Sequence, residues 1–151
     1  MKLLLVEDDM EISQMLKDYL RAENYEVVCA ADGKEACEKF DSDSYALVLL
    51  DLMIPKISGM EVMQHIRQSS TVPIIIVSAK DTDADKTLGL GLGADDYITK
   101  PFNIKEVILR INNLLKRAYD NPSKIQIDGY DIDLEKRRVF YNNNEIILTT
   151  K

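Results

Sequence analysis

The sequence predicts an α/β fold: a (βα)5 doubly wound parallel five-stranded sheet, followed by a short antiparallel β-meander. Three observations lead to this prediction. Short apolar runs alternate five times with amphipathic stretches of helical period, which is typical of a parallel sheet covered by helices on both faces. The run Ala46–Leu50 is wholly apolar, as expected of a central strand that is buried on both faces. Beyond about residue 120, apolar residues recur at every second position, which indicates antiparallel strands.

The first half of the chain supplies three of the parallel strands, predicted at Leu3–Val6, Glu26–Ala30 and Ala46–Leu50. After the first strand, apolar residues recur at the spacing of one helix face, at Ile12, Met15, Leu16, Tyr19 and Leu20. Asp8 or Asp9 precedes this helix as a candidate amino-terminal cap. A second helix is predicted over residues 33–40, after the turn signal Asp32-Gly33.

The second half begins with a third helix, which follows the interruptions at Pro55 and Gly59 and ends near Gln68. The remaining strands are predicted at Ile74–Val77 and Asp96–Thr99. The fourth helix, near residues 83–90, has glycines at 89, 91 and 93. Each interior glycine costs about 1 kcal/mol relative to alanine, so this helix is expected to be weak. The fifth helix spans residues 103–119, with an apolar face formed by Val107, Ile111, Leu114, Leu115 and Ala118.

The composition is that of a folded globular protein. Of the 151 residues, 46% are hydrophobic and 30% are charged, which is enough apolar surface for a core and argues against disorder. The net charge of −7 provides no basic patch for a nucleic-acid backbone. Cys29 and Cys37 match no zinc or redox spacing, so reduced thiols are expected. No apolar run is long enough for a membrane span, and we predict a cytoplasmic protein that does not bind membranes.

Chemically useful side chains follow the predicted strands. Glu7 and Asp8 come after the first strand, Asp51 after the third, Ser78 after the fourth and Lys100 after the fifth. The carboxyl ends of parallel strands meet at one edge of the sheet, so these groups are expected to converge. Clustered carboxylates repel one another unless a cation compensates, and Mg²⁺ prefers oxygen ligands. We therefore predict a Mg²⁺ site in which Asp51 is the nucleophile toward a phosphoryl group.

Each of these residues also has a simpler interpretation when it is taken alone. Asp8 is then a helix cap, and Asp51 caps the following turn. Ser78 is an ordinary strand-end hydroxyl, and Lys100 is a surface loop residue before a proline. The phosphoryl site is favoured because separate strand ends carry the acids, the hydroxyl and the lysine that one such site needs.

Four sequence motifs resemble those of response regulator receiver domains: Leu5–Asp9, Leu49–Pro55, Ser78–Ala79 and Tyr97–Phe102. The resemblance covers about positions 1–119 and implies a CheY-like fold, within the CheY/flavodoxin-like class. It implies a switch that accepts a phosphoryl group on Asp51 from a sensor histidine kinase. The expected chemistry is Mg²⁺-dependent self-phosphorylation and self-dephosphorylation, so the protein is not expected to be an enzyme acting on a free substrate.

The resemblance also assigns roles around the phosphoacceptor. It implies that Mg²⁺ is bound directly by Asp8, beside Glu7, with Asp51 and the backbone carbonyl of Met53 as further ligands. No other cofactor is implied.

A second set of roles concerns the switch itself. The resemblance implies that Lys100 pairs with the phosphoryl group and that Ser78 is the switch hydroxyl. Tyr97 is then the switch aromatic, expected to enter a space that the Ser78 hydroxyl vacates. The Lys100–Pro101 peptide bond is expected to be cis.

Residues Gly93–Tyr97 and the strand-rich end of the chain resemble the OmpR/PhoB family of transcription regulators. That family forms homodimers on phosphorylation through the fourth helix, fifth strand and fifth helix. The matching positions imply intermolecular ion pairs of Lys86 with Glu106, Asp96 with Arg110, and Asp95 with Arg117.

The same resemblance divides the chain into a receiver domain at 1–119, a linker at 120–123 and, at 124–151, the first strands of an incomplete DNA-binding domain. The helices that contact DNA are expected to be missing, and base readout requires an element that enters a groove. DNA binding is therefore expected only of a gene product that includes them.

Three alternative functions remain open from the residues. A Mg²⁺-dependent phosphatase of the dehalogenase type also uses a nucleophilic aspartate, but after its first strand and within a D-x-D motif. A flavodoxin-like cofactor binder has the same strand order, but an acidic rim repels a phosphate. A scaffold that binds partners without phosphorylation would not need Asp51, Ser78 and Lys100 together.

Overall fold

The computed structural model describes residues 1–120 and, beyond them, only the backbone of residues 124–127, 130–133, 138–141 and 144–146. In the fully described part, strands and helices alternate five times. The strands are β1 (Lys2–Val6), β2 (Glu26–Ala30), β3 (Leu47–Leu50), β4 (Ile74–Ser78) and β5 (Asp96–Thr99). The helices are α1 (Met10–Ala22), α2 (Gly33–Ser42), α3 (Gly59–Arg67), α4 (Asp83–Gly91) and α5 (Ile104–Asp120).

The five strands form one parallel sheet in the order β2-β1-β3-β4-β5. The order reverses direction at β1, whose two neighbours are β2 and β3. In open α/β sheets such a point opens a crevice at the carboxyl ends of the strands. The predicted doubly wound fold is confirmed, and it places the candidate site at that crevice.

The sheet separates two apolar cores. One core packs alternate strand residues against α1 and α5, which contribute Leu16, Leu20, Val107, Ile111, Leu114 and Leu115. The other packs the opposite strand residues against α2 and α3, which contribute Ala36, Val62, Met63 and Ile66. Strand β4 is buried along its whole length, including Ser78 at its end, as the predicted apolar strand Ile74–Val77 leads one to expect.

Local sequence signals explain where the helices begin. Asp9 caps α1, because its carboxylate accepts hydrogen bonds from the backbone amides of Glu11 and Ile12. This selects Asp9 over Asp8 as the cap and leaves the Asp8 carboxylate available to the site. Side chains also cap the next helices at Asp32, Ser58 and Thr82.

The predicted apolar face of α1 is partly wrong. Met15 and Tyr19 are 38% and 49% exposed, whereas Ser13 is buried together with Leu16 and Leu20. The helix is turned about its axis, so that a small side chain instead of Met15 lies against the sheet. For α5 the prediction is confirmed, because all five residues of its predicted apolar face are buried.

The glycines near α4 have different roles from the ones predicted. Gly91 is the last residue of the helix, and Gly93 lies beyond it with a φ of +118°, a conformation that glycine tolerates. Only Gly89 is interior, and it is buried. A methyl group on Gly89 would lie 2.8 Å from Cδ1 of Ile76 and 3.2 Å from the ring of Tyr97. Gly89 therefore allows α4 to approach β4 and β5 closely.

The later strands, β6 (Lys124–Ile127), β7 (Tyr130–Asp133), β8 (Arg138–Tyr141) and β9 (Asn144–Ile146), pair antiparallel in the order β6-β7-β8-β9. The rest of the predicted unit at 124–151 lies outside the described residues, and the predicted domain division stays a prediction. Among the helices that the structure describes, none has the length and apolar character needed to cross a membrane. Cys29 and Cys37 are free thiols.

Candidate functional site

Backbone hydrogen bonds align the ends of the strands at one edge of the sheet. The amide of Asp51 donates to the carbonyl of Val6 at 3.0 Å, which joins the end of β3 to the end of β1. The amide of Lys100 donates to the carbonyl of Ser78 at 2.8 Å, which joins β5 to β4. These contacts bring the predicted acids, hydroxyl and lysine to one rim.

Three carboxylates form the acidic part of the site. One carboxylate oxygen from each of Glu7, Asp8 and Asp51 lies within 4.8 Å of the others. Glu7 and Asp51 are 3% and 5% exposed, whereas Asp8 is exposed. Oxygen donors grouped at this spacing, with one side open to water, suit a hard cation that keeps several waters. The donor set therefore fits the predicted Mg²⁺.

Lys100 is shared between the two buried carboxylates. Its ammonium lies 2.8 Å from Oδ2 of Asp51 and also donates to Oε1 of Glu7. Burial raises the pKa of Glu7 to about 7, the Asp51 carboxylate adds to this effect, and Lys100 partly offsets it. Burial lowers the pKa of Lys100, but the hydrogen bonds to Asp51 and Glu7 outweigh burial and raise it. One cation thus compensates two acids, and the rim remains anionic.

The loop after β3 contacts the carboxylate oxygen of Asp51 that Lys100 does not contact. Oδ1 of Asp51 accepts a hydrogen bond from the backbone amide of Met53 at 3.0 Å. The two oxygens of Asp51 therefore have different partners, a backbone amide and the Lys100 ammonium. The Lys100–Pro101 peptide bond is cis, as predicted.

Ser78 and Tyr97 lie beside the rim and share the loop residue Lys80. Ser78 is fully buried, and its hydroxyl accepts a hydrogen bond from the Lys80 amide at 3.3 Å. The Tyr97 hydroxyl donates to the Lys80 carbonyl at 2.7 Å, and the residue is 8% exposed. Burial raises the pKa of Tyr97, against the hydrogen bond from Ser78, which lowers it. Lys80 could not be singled out from the sequence, because both contacts use its backbone.

Tyr97 is the aromatic residue that the switch is expected to move. The expectation was that the ring enters a buried space when the Ser78 hydroxyl moves. In the structure the ring is already buried, against the open side of Gly89. A glycine at position 89 leaves room for the ring, and the predicted movement of Tyr97 with Ser78 stays a prediction.

Four of the six residues predicted to pair between subunits form ion pairs within the chain: Asp95, Asp96, Glu106 and Arg110. Arg110 lies 2.9 Å from Asp96 and 2.7 Å from Glu106. Asp95 lies 3.2 Å from Arg67. Lys86 is half-buried and Arg117 is exposed. The predicted intermolecular pairs stay a prediction, and each of the three includes a residue that has one of these contacts within the chain.

Arg67 was missed in the sequence. Its guanidinium donates to the carbonyls of Val72 and Gly93 and to the Asp95 carboxylate, and the residue is 8% exposed. It joins the end of α3 to the starts of β4 and β5, far from the strand ends that carry the site. Nothing in the sequence pattern distinguishes it from a solvated arginine at the end of a helix.

Comparisons with known proteins agree with this geometry. Residues 3–112 match the family model described as the response regulator receiver domain. The chain is 44% identical over 150 residues to the response regulator ArlR of Staphylococcus saprophyticus, covering 98% of this chain and 67% of that protein. It is 42% identical over 154 residues to the CpxR homologue of Haemophilus influenzae, a transcriptional regulatory protein, covering 98% of this chain and 67% of that protein.

Solved structures give the same result. A receiver domain of a Francisella response regulator superposes with a TM-score of 0.74 at 38% identity, covering 77% of this chain and 97% of that one. The BeF3-activated receiver domain of Klebsiella pneumoniae RstA superposes with a TM-score of 0.74 at 32% identity, covering 77% of this chain and 99% of that one. The chain spans about two thirds of the length of the curated relatives it matches.

Proposed function

The chain belongs to the response regulator receiver domain family, and from that premise we propose that Asp51 is its phosphoacceptor, supplied by a sensor histidine kinase. The observation that carries the proposal is the shared ammonium of Lys100, which joins Asp51 and Glu7 at the edge where Asp8 is exposed. A carboxylate held beside a cation and an oxygen-rich metal site can capture a phosphoryl group and stabilise its charge.

The metal ion that this function needs would be held by Glu7, Asp8, Asp51 and the Met53 carbonyl. Bound Mg²⁺ would neutralise the excess negative charge and orient a phosphoryl oxygen. Asp8 suits the direct contact, because Asp9 takes over the capping of α1 and Asp8 stays exposed. The burial of Glu7 and Asp51 excludes bulk water from the inner side of the site.

The transfer step uses one oxygen of Asp51 as the nucleophile. An electron pair of the carboxylate forms the new O–P bond, while the P–N bond of the donor phosphohistidine breaks. The electron pair of that bond stays on the imidazole, which takes up a proton. Lys100 then exchanges a carboxylate contact for a phosphoryl oxygen.

The conformational response is proposed to pass through Ser78, Lys80 and Tyr97. If the Ser78 hydroxyl turns to donate to the phosphoryl group, the Lys80 amide loses the acceptor that it has in the structure. The Lys80 carbonyl accepts a hydrogen bond from the Tyr97 hydroxyl. A movement of the backbone at Lys80 would therefore change the position of the Tyr97 ring and of α4, which the ring contacts near Gly89. The phosphoryl dianion thereby changes the relative populations of two conformations that the protein already adopts.

The output is proposed to be a homodimer formed through α4, β5 and α5, which controls transcription in a protein that includes a DNA-binding part. The relatives are named as transcriptional regulators. Dimerisation would require Arg110 to exchange its contacts with Asp96 and Glu106 for contacts with a second chain. As in other members of the family, a cytoplasmic location is proposed.

Incubation with Mg²⁺ and acetyl phosphate tests the assignment of Asp51. Intact-mass analysis should show one added phosphoryl group, and the Asp51→Asn variant should show none. Asp41→Asn, at an exposed aspartate on α2, is the matched control and should be labelled normally. Equal labelling of the Asp51→Asn variant would refute the assignment. Turnover of a free phosphate ester would favour the phosphatase, and a flavin absorbance would favour the cofactor binder.

A further inference from the structure

The loop between β3 and α3, residues 51–58, is held at its far side by the first turn of α2. The amide of Gly33 donates to the carbonyl of Pro55 at 3.1 Å. A methyl group on Gly33 would lie 1.9 Å from the carbonyl oxygen of Ile57 and 2.7 Å from its Cβ. Any side chain at position 33 would therefore have to displace the backbone of this loop.

The loop is also constrained at Lys56, which lies between the two residues that contact Gly33. Lys56 has a φ of +70°, a conformation that costs a residue with a side chain about 1 kcal/mol. Its ammonium lies 3.2 Å from Asp32, the residue that caps α2. Strained backbone persists only where the surrounding contacts hold it, so the contact with α2 determines the path of the loop.

The other end of the loop is in contact with the phosphoacceptor. A methyl group on Gly59 would lie 2.4 Å from Cα of Leu52 and 2.5 Å from the carbonyl oxygen of Asp51. The amide of Gly59 donates to the Leu52 carbonyl at 3.1 Å. Between these contacts lies Met53, whose amide donates to Oδ1 of Asp51. With both ends fixed, a displacement at the far side is transmitted to Met53.

We propose that Gly33 is a positioning residue for phosphoryl uptake. Only a residue without a side chain at this position lets the loop of residues 51–58 take the path in which the Met53 amide donates to Asp51. Gly33 does not touch the reacting atoms and acts through the backbone of residues 51–58. The inference rests on the proposed function of Asp51 and adds a determinant that lies in a different element of the fold.

The test compares Gly33→Ala with Gly91→Ala, a matched control at a glycine with no atom within 4 Å of a new methyl group. Titration calorimetry measures the Mg²⁺ dissociation constant, and acetyl phosphate labelling measures the rate at saturating Mg²⁺. For Gly33→Ala the dissociation constant should rise about tenfold, as for lost support of metal ligands, and the saturated rate should fall. Gly91→Ala should leave both values unchanged.

The outcomes separate this inference from the proposed function. Labelling of the parent protein and of Gly91→Ala, together with unchanged Mg²⁺ affinity and rate in Gly33→Ala, would overturn the role of Gly33 alone. A lower melting temperature without those two changes would also overturn it, since a purely structural role predicts that result. Absence of labelling in the parent protein would count against the proposed function instead.

A measurement on the unaltered protein covers the case in which Gly33→Ala does not fold. Because coupling between two sites is reciprocal, Mg²⁺ binding should stabilise the contact between Gly33 and Pro55. Hydrogen exchange of the Gly33 amide should therefore slow on saturation with Mg²⁺, whereas that of the Leu92 amide, bonded to Leu88 in the α4 region, serves as the reference. Equal exchange of Gly33 with and without Mg²⁺ would contradict the proposal.

Discussion

Arg67 donates from Nη2 to Oδ2 of Asp95 at 3.2 Å, and the same carboxylate oxygen accepts the backbone amide of Ile74 at 2.9 Å. This pair therefore ties the end of α3 to the starts of β4 and β5. It lies at the opposite end of the strands from Asp51, so it supports the sheet without contacting the candidate site.

Replacement of Arg67 by alanine should destabilise the fold strongly. The change leaves a mostly buried carboxylate and the carbonyls of Ser70, Val72 and Gly93 without this donor. Removal of one partner of a buried pair costs about 3–5 kcal/mol. Urea denaturation should show this loss in the free energy of unfolding. Arg21→Ala, at an exposed arginine of α1, is the control and should change little. A similar small effect in both variants would show that the Arg67 contacts contribute no net stability.

Replacement of Lys100 by methionine should make stability depend on Mg²⁺. Without the ammonium, Glu7 and Asp51 face each other unpaired, at a cost of about 3 kcal/mol. Because added Mg²⁺ can compensate the same carboxylates, it should raise the melting temperature of Lys100→Met more than that of the parent protein. Lys105→Met, at an exposed lysine of α5, should respond as the parent does. An equal response in Lys100→Met would argue against a shared site.

Two Gly→Ala changes in α4 should have different effects. Alanine at Gly91 meets no neighbour and should stabilise the helix slightly, by less than the roughly 1 kcal/mol of an interior position, because Gly91 is the last residue of α4. Alanine at Gly89 should stabilise less or destabilise, because its methyl group would lie within 3.2 Å of the Tyr97 ring. Chemical denaturation gives both values, and the NMR signals of the Tyr97 ring should shift only in Gly89→Ala. Identical behaviour of the two variants would contradict the close approach of α4.

Replacement of Arg110 by alanine should affect association more than folding. The ion pairs of Arg110 are partly exposed, and such pairs contribute less than about 1 kcal/mol each. If Arg110 takes part in the homodimer, sedimentation velocity with beryllofluoride and Mg²⁺ should show a dimer for the parent protein and a monomer for Arg110→Ala. Arg21→Ala, on α1, should still dimerise. Dimers of Arg110→Ala would remove this residue from the interface.

Much of the fold could be predicted because the signals are local. The limits of β5 match the prediction residue for residue. The predicted apolar face of α5 is also correct, because the residues that recur at the helical period are the ones buried along this long helix. In α1 the apolar stripe is wide enough to allow two rotations, and packing against the sheet selected the one that buries Ser13.

The candidate site could be predicted to the extent that strand ends define it. Glu7, Asp51, Ser78 and Lys100 converge as the topology requires. The contributions of Gly33 and Arg67 depend on approaches between elements that are distant in sequence. The burial of Tyr97 likewise depends on a neighbouring helix, through Gly89. A pattern along the chain carries no information about such contacts.

The division of the interior by the sheet has a practical consequence for spectroscopy. All six methionines of the chain lie in the fully described part, and Met63 is the one that is completely buried, in the core that faces α2 and α3. Met53, by contrast, is 56% exposed next to Asp51 at the rim. With labelled methionine methyl groups, the Met53 resonance would report on the rim and the Met63 resonance on the core between the sheet and α2 and α3. The rates of motion in these two regions could then be measured separately.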